Sequence, residues 1–205
     1  MSKLSFTLGK WLQGEQFLGG FSCGIEGLQK DLKGKSVAIV GNARSLSEQS
    51  FGAEIDRADI VIRMHAAPLV SANSHGSKTD WLALAMPVGE ALIEERSPER
   101  LLWMAKKRKR LRYRFAVRRG FYLHPVAEWE RMRDQLQAPP TTGVMLIDLV
   151  ARSEVMKTDL YGFDFFASLS LSGSRRADQV PHDFAAEQGF VEELVLADRR
   201  IALHR

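Results

Sequence analysis

The sequence predicts an α/β fold, a single domain built on a mostly parallel sheet flanked by helices, and three observations carry that expectation. Short apolar runs rich in β-branched residues recur along the chain, and longer segments of mixed, helix-like spacing separate them. The first run closes on a Gly followed by small and polar residues, as a strand does when it feeds a ligand-binding turn. The chain has 205 residues, 45% of them hydrophobic and 26% charged, which suffices for one well-buried core.

Taken in order, residues 1–35 form an N-terminal segment that packs on or leads into the domain at 36–205. Its start, "MSKLSFTLGKWLQGEQFLGGF", is interrupted by Lys10, Gln13 and Glu15 and lacks the continuous apolar centre of a signal peptide. No stretch approaches the roughly 20 apolar residues that cross a bilayer. The single Cys23 has no disulfide partner and fits a reducing, cytoplasmic setting as a buried structural thiol.

Strands are expected at "SVAIVG" (36–41), "DIVIRM" (59–64), "DWLALAM" (80–86), "RLLWMA" (100–105), "GFYLHP" (120–125) and "TDLYGF" (158–163). Helices are expected at "SLSEQSFGAEID", at "GVMLIDLVARSEVM" and at "DFAAEQGFVEELVLADRR", which closes the chain. Residues 167–179, rich in Ser around a Gly, read as a mobile loop.

Although the formal charge is +4, the basicity is local. "KKRKRLRYRFAVRR" (106–119) holds nine Lys and Arg and no acid, and the rest of the chain is net acidic. Such a stripe meets nucleic acid, anionic headgroups or a polyanionic saccharide, or is simply a solvated face.

In a parallel sheet, ligands sit at the carboxyl ends of strands, where helix N-termini attract phosphate. Two stretches fit. In "VGNARSLS", Gly41 lets the backbone turn and Asn42 offers an amide. In "PPTTGVMLIDLV", Thr141 and Thr142 supply hydroxyls and Gly143 opens a helix. Each alone also reads as a turn residue or an N-cap. A dinucleotide site would need two further glycines, which are absent, although Asp56 and Asp59 lie in range to hold a ribose.

The pattern "VAIVGNARSL…FGAEIDRADIVIRMHAAPLV…HGSKTD" resembles the large sialyl motif of glycosyltransferase family 29, the sialyltransferase family, with Gly41, Asn42, Gly52, Asp56, Arg63, Ala67, Pro68, Gly76, Ser77, Lys78 and Thr79 in place. "PPTTGVMLIDLVARSEVMKTDLYGFDFF" is similar to the small sialyl motif, and "HDFAAE" sets His182 and Glu187 at the spacing of the very small motif.

The resemblance implies a Rossmann-like GT-A variant whose catalytic domain is 36–205, a CMP-activated acidic sugar as donor, and inversion in one displacement without metal or cofactor. It implies that Asn42 and the backbone at Ala43 contact phosphate and ribose, and that Thr141, Thr142 and Gly143 hold CMP beside Gly41. His182 would be the general base and Glu187 either its orienting group or a surface carboxylate. Asp56, Arg63, Lys78 and Thr79 are expected to brace loops.

The sequence departs from the family pattern in three ways. His65 stands where the family has Asn, and is expected either to give charge or a proton to the departing phosphate or to replace the amide as a neutral partner. The cysteines linking the large and small motifs are absent. The third motif, a His with aromatics, is missing from 165–181, which leaves Arg175 and Arg176 as other candidates for stabilising the leaving group.

The implied partners are a CMP-sialic acid or CMP-Kdo donor and a glycan or glycolipid acceptor. The stripe at 106–119 is expected on an anionic saccharide or at the inner membrane face, and nucleic acid is not the expected partner. The alternative is a non-catalytic CMP- or polyanion-binding relative.

Overall fold

The computed structural model describes residues 2–165 and 181–205. Helix α1 (Lys3–Gly19) begins at Ser2, whose hydroxyl accepts from the Ser5 amide at 3.2 Å, and kinks at Gly14, where φ is +54°. Helix α2 (Gly24–Leu32) turns Leu28 and Leu32 inward.

Seven strands follow among the described residues: β1 (Ser36–Val40), β2 (Ile60–Met64), β3 (Trp81–Leu84), β4 (Arg100–Trp103), β5 (Tyr122–Leu123), β6 (Lys157–Tyr161) and β7 (Ile201–His204). They form one sheet in the order β5-β4-β3-β2-β1-β6-β7, and every pairing is parallel. Both faces of a parallel sheet must be covered, and the intervening helices cover them: α3 (Gly52–Arg57), α4 (Ala72–His75), α5 (Glu90–Arg96), α6 (Tyr113–Ala116), α7 (Val126–Leu136), α8 (Thr142–Ala151) and α9 (Phe184–Ala197).

The alternation of side chains divides the core. Val37 and Ile39 of β1 and Leu102 of β4 join Leu28 of α2, Met132 of α7, Leu146 of α8 and Val191 of α9 on one face. Ala38 and Val40 pack with Leu46 and Ile55 on the other, while Leu101 and Trp103 meet Phe6 and Leu18 of α1 and Phe115 of α6.

Three local expectations change. The helix expected over 45–56 is a 3-10 turn (Arg44–Glu48) followed by α3, broken at Ser50 and Phe51. The closing helix ends at Ala197, and Ile201–His204 adds a seventh strand beside β6, held by the His204 ring stacked on Tyr161 at 4.5 Å and bonded through Nε2 to Asp159 at 2.8 Å.

The basic stripe is not one solvated face. A 3-10 turn (Arg108–Arg110) and α6 break it, and Leu111, Phe115 and Ala116 are buried. Arg108 bonds Glu15 at 2.7 Å and the Ala105 carbonyl at 2.6 Å, and Arg114 and Arg118 pair with Glu90 at 3.2 and 3.3 Å. Cys23 is half-buried, with the Arg100 guanidinium 3.2 Å from Sγ. The loop at 167–179, with Arg175 and Arg176, lies outside the described residues.

Candidate functional site

The strand order reverses direction at β1, whose neighbours are β2 on one side and β6 on the other. Open parallel sheets bind ligands in the crevice outside the carboxyl ends of the strands at such a point. Here Gly41 follows the last residue of β1 and Gly162 the last of β6. The two turns lie so close that a Cβ on Gly41 would stand 2.1 Å from the Gly162 carbonyl oxygen. Gly41 is therefore required for close approach, and Gly162 for its φ of +67°.

A cavity of about 750 Å³ opens above these turns. Gly41, Asn42 and Ala43 line it from β1, His65 from the end of β2, Thr141, Thr142 and Gly143 from the start of α8, and His182 and Glu187 from the start of α9. All the residues expected at the site thus share one cavity. Met64, Trp129 and Phe163 add an apolar wall, and Lys106, Lys107 and Arg110 a cationic one. The Ala43 amide is already taken, donating to the Gly162 carbonyl at 3.1 Å.

Helix α8 opens on the cavity with its N-terminus, the end of a helix that attracts anions. Thr141 is its N-cap, with Oγ1 accepting from the Val144 amide at 3.2 Å. The amides of Thr142 and Gly143, at the first two helical positions, have no partner within the helix, and the helix dipole adds positive potential there. A Cβ on Gly143 would press within 2.9 Å of the Phe163 ring.

Glu187 does not reach His182. The residue is 3% exposed, and its carboxylate accepts from the Thr141 amide at Oε1 and from the Thr141 hydroxyl at Oε2, each at 2.7 Å. It is neither a surface carboxylate nor the orienting group of His182. Burial raises its pKa to about 7, with the two Thr141 bonds opposing and Asp183 adding to the rise.

His182 is oriented instead by backbone, its Nδ1 lying 2.7 Å from the Pro139 carbonyl oxygen. A carbonyl only accepts, so Nδ1 carries the proton and Nε2 is the basic nitrogen of the neutral ring.

His65 has a left-handed φ of +52°. Its Nε2 is 3.1 Å from Thr142 Oγ1, and the Ala85 amide approaches Nδ1 at 3.5 Å. Burial lowers its pKa, so the ring is neutral near neutral pH.

The remaining large-motif residues tie loops together. The Asp56 carboxylate accepts from the Ser77 and Lys78 amides at 2.9 and 3.0 Å. Arg63 donates to the carbonyls of Lys78 and His75 at 2.8 and 2.7 Å, and Lys78 Nζ to those of Ala58 and Asp59 at 2.7 and 2.9 Å. Thr79 is buried in the same loop, which turns at Gly76 with φ of +66°.

Fold and site together define a doubly wound α/β protein with a nucleotide-sized cavity at the switch point of its sheet. Residues 26–89 match the family model described as glycosyltransferase family 29 (sialyltransferase).

The fold is that of solved sialyltransferases. A mammalian sialyltransferase in complex with Gal-beta-1-3GalNAc-ortho-nitrophenol superposes with a TM-score of 0.62 at 19% identity, over 100% of this chain and 86% of that one. CstII from Campylobacter jejuni, in complex with the substrate analogue cytidine-5'-monophosphate, does so with 0.54 at 14%, over 83% and 80%. A further CstII structure, with trisaccharide acceptor and CMP, gives 0.55 at 15%, over 82% and 80%. No curated protein sequence matches the chain.

Proposed function

We propose that this glycosyltransferase moves an acidic sugar, sialic acid or the similar ulosonic acid Kdo, from its CMP-activated donor to a hydroxyl of a glycan or glycolipid, with inversion at the anomeric carbon. The observation that carries the reading is that Asn42, the α8 N-terminus and His182, far apart in sequence, line one cavity beside the β1/β6 switch point. The likeness to structures that hold CMP supports the donor class.

In this reading the phosphate sits at Thr142 and Gly143, near Asn42. His182 Nε2 takes the proton of the acceptor hydroxyl as that oxygen bonds the anomeric carbon, and CMP departs with the electrons of the broken bond. His182 needs no carboxylate, because the Pro139 carbonyl fixes its tautomer. Glu187 acts on Thr141 and holds the α8 cap in place. His65 serves as a neutral partner for Thr142. The donor carries a monophosphate, so no bridging cation or cofactor is invoked.

Lys107 and Arg110, which make no ion pair among the described residues, suit the donor carboxylate or an anionic acceptor. A cytoplasmic setting with the 106–119 stripe turned to an anionic saccharide or the inner membrane face completes the proposal. Among the described residues no helix is long and apolar enough to cross a membrane.

The test is CMP release from CMP-sialic acid and from CMP-Kdo, with and without acceptor glycans and with His182→Ala as control. Release abolished by His182→Ala supports the reading. Binding of CMP without turnover of either donor replaces it with the non-catalytic alternative.

A further inference from the structure

Helix α1 is apolar on two opposite faces, and only one is covered. Phe6 and Leu18 are buried against α6 and the sheet, and Lys10 on the same side donates to the Lys109 and Leu111 carbonyls at 3.3 and 3.0 Å. The other face carries Leu4, Leu8, Trp11 and Leu12, which are 81, 54, 80 and 63% exposed. At helical spacing these four fall within an arc of about 100° on the half of α1 before the Gly14 kink. A cluster of four large apolar side chains exposed on one helix face ordinarily marks a contact surface, so this face lacks its cover.

The charge around it says what that cover is. The 3-10 turn at Arg108–Arg110 packs on α1, and Lys109, Arg110 and Arg112 are exposed there without ion pairs among the described residues. The one acid of α1, Glu15, is already held by Arg108. A second copy docked face to face would bring two cationic rims together, which is repulsive. An anionic lipid surface takes both features at once, leucines and a Trp into the acyl boundary and cations onto headgroups.

We propose that the first half of α1 lies in the interface of an anionic membrane, with Leu4, Leu8, Trp11 and Leu12 inserted and Lys109 and Arg112 on headgroups. Arg110, on the same turn, also lines the cavity, so docking brings the cavity mouth to the lipid surface. That the acceptor is therefore carried on a lipid rests on the transferase reading. The docking does not.

The experiment is co-sedimentation of the full chain with phosphatidylcholine vesicles, with and without phosphatidylglycerol. Insertion is followed by quenching of fluorescence with brominated lipid, taken as the difference from Trp11→Phe. Wild type is expected to bind the anionic vesicles and to show a Trp11-dependent quench. Lys109→Gln/Arg112→Gln lowers the affinity by roughly tenfold or more, as does Leu8→Gln/Leu12→Gln. Thermal stabilisation by CMP, unchanged in both variants, shows that they are folded.

Binding to neither vesicle, or binding indifferent to the leucines, overturns the proposal. So does a concentration-dependent dimer that the leucine variant abolishes. Vesicle binding without CMP binding overturns the transferase reading and leaves the docking intact.

Discussion

Glu187 and Thr141 are joined twice, the amide and the hydroxyl of Thr141 each donating to a different oxygen of one buried carboxylate at 2.7 Å. With His182 on the Pro139 carbonyl, the start of α9 is pinned at two points to the turn that opens α8. The very small and small motifs are in this way one structural unit.

Glu187→Ala leaves the part-buried Thr141 amide and hydroxyl without their acceptor, and costs about 1–3 kcal/mol in urea unfolding. The pH dependence has a definite sign. The folded pKa of about 7 exceeds the ordinary 4.5, so this contribution is full below pH 4.5 and is lost as pH rises through about 7. It amounts to no more than about 3 kcal/mol. Thermal unfolding across that range will show a steeper fall for wild type than for Glu187→Gln.

Gly41→Ala drives a methyl into the Gly162 carbonyl, where the clearance is 2.1 Å and both neighbours are backbone. The β1 and β6 turns must part, at about 3 kcal/mol or more. Calorimetry will show a lowered Tm, and titration with CMP a loss of affinity.

His182→Ala removes the proposed base and no buried packing. Turnover falls by about 10²–10⁴-fold with Tm and CMP affinity little changed, read from initial rates beside calorimetry. A comparable loss of CMP affinity would assign His182 to binding.

His65→Asn keeps a hydrogen-bonding side chain that tolerates a left-handed φ. Because the buried ring is neutral, the pH profile of turnover keeps its shape. A folded pKa below the ordinary value makes wild type lose stability as pH falls through about 6.5, and His65→Asn removes that loss. A changed acid limb in the rate profile would restore His65 as a source of charge for the leaving phosphate.

Asp56→Ala tests the bracing role of the large motif. Burial works against its charge, but hydrogen bonds from Lys78 and Ser77 prevail and hold its pKa below the ordinary value. The variant loses about 2–4 kcal/mol. CMP affinity measured well below Tm is unchanged.

Much of this molecule was legible from local pattern. All six expected strand runs lie in the sheet, because two-faced burial in a parallel sheet demands continuous apolar residues. Nine residues, Gly41, Asn42, Ala43, His65, Thr141, Thr142, Gly143, His182 and Glu187, were placed by motif and meet in one cavity. The strand at 201–204 was not legible. "IALH" is short and follows a helical run, and only pairing with β6 and the stack of His204 on Tyr161 make it a strand.

What the sequence by itself determined is the list of elements and the chemistry available to them, since apolar periodicity, Gly and Pro positions and motif spacing are properties of neighbours along the chain. Tertiary structure alone decided which group holds which. It put Glu187 on Thr141 and His182 on a carbonyl, and shared eight of the nine cations of 106–119 among ion pairs, the cavity wall and the rim of α1. Those outcomes turn on burial and on distances between residues remote in sequence, and a carboxylate or guanidinium takes its role from the dielectric and partners it meets there.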